Sequence, residues 1–292
     1  MTAGTANAGT HIDGRQPRSA YARVLGHEVH YVEWGPAAAK PVLMWHGLAR
    51  TGRDFDEIAA ALSDRFRLIC PDTVGRGLSQ WSADPDRDYC LERYAAMAAG
   101  LADVLGLDRI DWVGTSMGGA LAIRAAATTL KDRLGRVVIN DIGPTFPPGP
   151  YERIKTYVGN PPEFDTVSEL EAYFRTIYQP FGHHTPAQWR HMAETSHRRL
   201  PSGKITTHYD PNIVRQLFAY PDDYEQWTCW DAMRQPTLVL RGVNSDLLLA
   251  DTAREMTLRG PKARIVEIAG CGHAPALNTA EQIGLVRQFL EG

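Results

Sequence analysis

Cysteine is scarce, with four in 292 residues (Cys70, Cys90, Cys229 and Cys271), and these stand far apart with no CxxC pair. That spacing argues against a zinc ribbon or a disulfide framework and favours a reducing compartment. No apolar run reaches the roughly 18 residues a membrane span needs, and the first twenty residues hold no apolar stretch fit for a signal-peptide core. A cytoplasmic protein with a loose tail over residues 1–20 is expected. Charge of one sign is missing too: 31 Lys+Arg against 34 Asp+Glu leave a net −3, so no basic field draws the chain to nucleic acid or anionic lipid. Neither GxxxxGK[ST] nor a GxGxxG after a strand occurs, so no nucleotide cofactor is indicated.

Hydrophobic residues at 43% and charged residues at 22% are ordinary for a globular protein. From Tyr21 to Trp34 apolar and polar residues alternate, which predicts two antiparallel strands joined near Gly26 and His27 at a sheet edge. Short apolar runs then recur at Val42–Trp45, Phe66–Cys70, Ile110–Gly114, Val137–Asn140, Thr237–Leu240 and Ile265–Ile268. Bounded by Pro, Gly or Asp, they fit strands buried on both faces. Helical patterns lie between them at Phe55–Leu62, Leu91–Leu105, Ala120–Leu130, Ala250–Leu258 and Glu281–Leu290. Strand and helix in alternation imply an α/β fold, a mostly parallel eight-stranded sheet with helices on both faces.

The alternation breaks once. Residues 143–235 carry helix-like stretches (Tyr151–Tyr157, Val167–Tyr178, Pro186–Arg199, Ile213–Tyr220) and no clear buried-strand run, too much chain for a plain connection. An inserted helical cap is expected there, with residues 21–142 and 236–292 forming the core. Fifteen of the 26 aromatic residues fall in the 86 positions 145–230, about twofold more than an even spread. Such enrichment suits a cap lining an apolar pocket, and equally a small helical unit needing bulky core residues.

The chemistry-bearing motif is Gly114-Thr115-Ser116-Met117-Gly118-Gly119, between the strand ending near Gly114 and the helix that follows. A serine on a tight strand-to-helix turn is held in a strained backbone conformation, and the glycines let strand and helix pass without Cβ clashes. The helix start supplies a positive dipole end and free N–H groups, so the Met117 N–H can meet an oxyanion formed on attack by Ser116.

With these residues the chain resembles the α/β-hydrolase family over most of its length. Trp45-His46-Gly47-Leu48 follows the third strand as that family's oxyanion loop does, and Asp72-Thr73-Val74-Gly75-Arg76-Gly77-Leu78-Ser79 is similar to its D-x-x-G-x-G-x-S turn. The resemblance implies that Leu48 supplies the second oxyanion N–H, that His46 organises its loop, and that the Asp72–Ser79 segment is structural.

A serine needs a base. Of ten histidines, His273 alone lies in a loop directly after the last strand-like run, between glycines in Gly270-Cys271-Gly272-His273, where the family carries its late histidine. Cys271 reads as a small buried filler. Two aspartates end strands at suitable places, Asp141 and Asp246. The chain order Ser116, Asp246, His273 is the order expected of this fold, which favours Asp246 as the acid and leaves Asp141 to cap the entrance to the inserted segment. His183, His184, His191 and His197 are spaced as metal ligands could be, yet no HExxH accompanies them and a solvated helix face is the simpler reading.

These features predict a cofactor-independent, metal-free serine hydrolase, a carboxylesterase with a Ser116–His273–Asp246 triad, an oxyanion hole at Leu48 and Met117, and a small-molecule ester or lactone substrate of apolar character. A C–C bond hydrolase of vinylogous diketones is the alternative that the same triad and cap would serve, and a receptor that has kept the fold without the chemistry is a third.

Overall fold

A computed structural model describes residues 16–292. The expected tail over residues 1–15 lies outside the described residues. Its expected end at residue 20 is corrected, because Arg18–Ala20 already belong to a strand. The chain forms strands β1 (Arg18–Val24), β2 (His27–Trp34), β3 (Lys40–Trp45), β4 (Phe66–Pro71), β5 (Ile110–Thr115) and β6 (Leu134–Asn140). Short strands β7 (Glu163–Phe164), β8 (His197–Arg199) and β9 (Ile205–Thr207) follow, and β10 (Thr237–Gly242) and β11 (Arg264–Ile268) complete the set. Eight of them make one sheet in the order β1-β2-β4-β3-β5-β6-β10-β11, and β7-β9-β8 make a second. β1 and β2 pair antiparallel through a turn at Leu25 and Gly26, β2 and β4 also run antiparallel, and every other pairing in the large sheet is parallel.

The short apolar runs become strands because both of their faces are covered. Leu43 and Trp45 of β3, Trp112 of β5 and Val239 of β10 pack in one cluster with the helices Leu91–Val104 and Met117–Ala127. Their alternates Val42, Met44, Val113 and Leu240 pack on the other face with Ile58, Leu62, Val286 and Leu290, from the helices Asp56–Leu62 and Ala280–Glu291. Period-2 alternation thus divides one continuous apolar run between two cores.

Between β6 and β10 the chain leaves the sheet for five α-helices and the three-stranded sheet, with its own small core of Leu170, Phe174, Trp189, Met192 and Ile205. The insert, expected to be helical with no clear buried-strand run, thus also carries these three short strands. The strands have two or three residues each, too few to show a period, and Gly203 at φ 87° lets the chain turn back between β8 and β9. The helix expected to reach Arg199 stops at Thr195, and Ile213–Tyr220 divides into a 3-10 turn and a four-residue helix. This segment lies against the C-terminal ends of the parallel strands: Gly272 N–H donates to the Pro180 carbonyl at 2.7 Å, and Arg50 reaches Ser196 at 3.0 Å.

Candidate active site

Ser116 sits where β5 ends and the helix Met117–Ala127 begins, with φ 53° and ψ −117°. An L-residue held there costs on the order of 1–3 kcal/mol and persists only where its surroundings impose it. The imposing contacts are the backbone bonds of Ser116 N–H to Asn140 O (2.9 Å) and of Gly119 N–H to Ser116 O (2.8 Å). The flanking glycines are sterically required: a Cβ on Gly114 would overlap the Gly118 carbonyl, and one on Gly118 would overlap the Trp45 carbonyl.

His273 follows β11 and brings Nε2 to 2.8 Å from Ser116 Oγ. Its Nδ1 lies 2.8 Å from Asp141 Oδ2, which assigns the proton on Nδ1 to that bond and leaves Nε2 to accept from the serine. Asp141 stands directly after β6, fully buried and itself at positive φ (59°). Its carboxylate also accepts from Ser245 Oγ (2.5 Å) and Gly242 N–H (2.7 Å), so β10 and the turn after it aim the acid at the imidazole.

The expectation that Asp246 is the acid is corrected. Its carboxylate is half-exposed and pairs with Arg153 of the inserted segment at 2.7 Å. The loop after β10 turns at Ser245, so it is that hydroxyl, one residue earlier, that reaches the site. Asp141, expected to cap the entrance to the insert, instead completes the hydrogen-bonded chain. Nothing in sequence spacing distinguished the two, because β6 and β10 are neighbours in the sheet and either can deliver a carboxylate to this edge.

The loop after β3 lies beside the serine, a Cβ on Gly47 falling 3.6 Å from Ser116 Cβ. His46 braces it. Its Nδ1 is 2.7 Å from Gly47 O, and its Nε2 accepts from Thr73 N–H at 2.9 Å, with Thr73 Oγ1 at 3.0 Å. Complete burial pushes His46 down to about 4, outweighing the opposing Asp72 charge and Gly47 bond, and the Arg76 charge adds a smaller push in the same direction. A neutral imidazole therefore ties the loop after β3 to the loop after β4. Leu48 and Met117 are joined by Arg76, whose Nε donates to Leu48 O at 2.9 Å and whose Nη2 lies 3.6 Å from Met117 Sδ.

A pocket beside these residues is bounded by Thr115 and Ala274 of the core and by Phe181 and Met192 of the insert, with Arg53 and Asp56 on its wall. The four clustered histidines do not converge. His183 is exposed, His184 stacks on Trp189 at 4.3 Å, His191 lies 2.7 Å from Asp56, and His197 lies 3.0 Å from the Ala193 carbonyl. Among the described residues no group of three or more His, Cys, Asp or Glu is placed to hold a metal, and no helix is long and apolar enough to cross a membrane. Cys271 is buried, and burial pushes its thiol up.

A sheet of this order, with a serine at a strained turn after β5 and a histidine after the last strand, defines a class. Residues 42–283 match the model of the alpha/beta hydrolase family, and the chain belongs to that family. It is 38% identical over 276 residues to a 3-hydroxybutyrate-oligomer hydrolase of Cupriavidus necator, covering 91% of this chain and 94% of that one. It is 26% identical over 253 residues to a 2-hydroxy-6-oxo-2,4-heptadienoate hydrolase of Pseudomonas putida, covering 81% and 83%. The crystal structure of an alpha/beta hydrolase from Novosphingobium aromaticivorans superposes with a TM-score of 0.84 at 32% identity, covering 94% of this chain and 98% of that one.

Proposed function

We propose that this hydrolase cleaves carboxylic esters through an acyl-enzyme on Ser116, and that its substrates are short oligoesters of hydroxyacids. The observation that carries the reading is the chain Ser116 Oγ, His273 Nε2, His273 Nδ1, Asp141 Oδ2, with both links at 2.8 Å. Ser116 Oγ attacks the ester carbonyl as Nε2 takes its proton, and Asp141 holds the tautomer and offsets the imidazolium charge. The carbonyl oxygen becomes an anion facing the N–H groups of Leu48 and Met117. Collapse breaks the C–O bond, and the departing alkoxide leaves as alcohol with the proton from His273. Water, deprotonated by the same nitrogen, then attacks the acyl-enzyme and releases the acid. The segment 143–235 acts as the cap. Phe181 and Met192 give the neighbouring pocket an apolar side suited to uncharged ester units. The oligoester class is supported by the 38% identical relative.

The C–C bond hydrolase reading keeps the support of the 26% identical relative, since the same serine and histidine serve that cleavage. Both are tested by incubating the protein with linear 3-hydroxybutyrate dimer and trimer and, separately, with a 2-hydroxy-6-oxo-dienoate. Release of 3-hydroxybutyrate, with an acyl adduct trapped on Ser116, supports the first reading. Turnover of the diketone with both oligomers untouched overturns it.

A further inference from the structure

Arg76 is fully buried, and its donors are spent on neutral groups. Nε donates to Leu48 O at 2.9 Å, Nη1 to Val74 O at 3.0 Å and to Tyr94 OH at 2.6 Å, and Nη2 to Gln216 Oε1 at 3.4 Å. The guanidinium lies 5.0 Å from the Tyr94 ring centroid and 5.6 Å from that of Tyr89. An arginine stays protonated in a protein, and a buried cation with no carboxylate of the described residues against it is costly, so its retention calls for a reason. Its contacts supply one. It bonds the carbonyl of Leu48 and touches the side chain of Met117, the two residues whose N–H groups face the anion in the mechanism above.

We infer that Arg76 is a positioning residue for the oxyanion: it pins the Leu48 peptide and, because no carboxylate among the described residues pairs with it directly, the buried Asp210 carboxylate being held on the far side of Tyr89 by that residue's hydroxyl, lends positive potential to the anion formed on attack. The inference rests on the Ser116 acyl-enzyme reading. It separates two roles, a hydrogen bond that shapes the loop and a charge that acts on the transition state. Electrostatic support that strengthens only as the anion develops raises kcat and leaves ground-state binding little changed.

Gln216→Glu separates those roles. The new carboxylate is nearly isosteric, takes the place of Oε1 beside Nη2, and can accept from Tyr224 OH where the amide now donates at 2.9 Å. It leaves the Leu48 bond intact while cancelling the charge. With p-nitrophenyl butyrate, kcat is expected to fall about tenfold with KM within about threefold. Binding of an aryl trifluoromethyl ketone, which forms an anionic adduct on the serine, weakens by the same factor as kcat/KM, and the melting temperature is unchanged or raised. Arg76→Lys keeps the charge and loses the Leu48 bond, so it retains more activity than Arg76→Met, which loses both. Should Gln216→Glu fold and turn over at the wild-type rate, the inference falls while the Ser116 mechanism stands. Equal losses in Arg76→Lys and Arg76→Met overturn the charge role even if Gln216→Glu is too unstable to assay. Absence of any Ser116 adduct in the unmodified protein removes the mechanism and this inference with it.

Discussion

At the residue scale, hydrogen-bond lengths alone do not make a nucleophile. Ser19 Oγ lies 2.8 Å from His30 Nε2, and His30 Nδ1 lies 2.7 Å from Asp72 Oδ2, distances close to those at Ser116. Backbone context separates the two. Ser19 stands in the extended edge strand β1 opposite Val32, whereas Ser116 is forced to φ 53° at the turn from β5 into the helix Met117–Ala127. Asp72 is engaged as a brace for turns, accepting from Gly52 N–H and Leu78 N–H. Burial works to raise its carboxyl, but the His30 hydrogen bond and charge, together with His46 and the Gly52 N–H, leave it below its ordinary value. A fluorophosphonate is therefore expected to label Ser116 alone. Peptide mapping should show labelling retained in Ser19→Ala and reduced at least about 10³-fold in Ser116→Ala; comparable labelling of Ser19 would contradict the assignment. Ser116 was legible in the sequence because sterics demand its glycines. Arg76 was not, because a buried cation and a surface one look alike in a string of letters.

At the scale of elements, the strands of the large sheet were legible because burial on both faces leaves a continuous apolar run, and the small strands β7 to β9 were not because they are too short to have a pattern. The site depends on loops between such elements being tied together, and His46 makes that tie between the loops after β3 and β4. The sign of its pH dependence follows from its depression to about 4, from an ordinary value of 6.5. On acidification the unfolded chain takes up the proton first, so His46's contribution is complete above about pH 6.5 and is lost progressively toward about pH 4. At about 1.4 kcal/mol per pH unit the loss is on the order of 3 kcal/mol. Urea unfolding at about pH 7, 5.5 and 4.5 should show wild type losing about 2 kcal/mol of this more than His46→Asn by the lowest pH, the remainder lying below it. Parallel pH dependences would mean that another group governs acid sensitivity.

At the scale of the whole molecule, the order of strands decides which carboxylate serves the histidine. Ser116 follows β5 and His273 follows β11, with β6 and β10 between them. A chain that visits β5, β6, β10 and β11 in sequence presents two candidate acids in turn, and the requirement that the acid come after the serine and before the histidine is met by both. The choice is made by the close of β10. Gly242 N–H and Ser245 Oγ are spent on Asp141, and the next residue, Asp246, is carried outward to Arg153 on the insert. An ion pair exposed on both sides contributes about 0–1 kcal/mol, so Asp246→Asn should leave kcat within about threefold of wild type and stability nearly unchanged. Asp141→Asn preserves shape but favours the wrong imidazole tautomer, a change that costs about 10⁴ in kcat in a well-studied serine protease. Steady-state kinetics of both variants on one p-nitrophenyl ester, with melting temperatures to show that each is folded, decide between the strands. A crippled Asp246→Asn beside a nearly intact Asp141→Asn would move the acid from the end of β6 to the loop after β10.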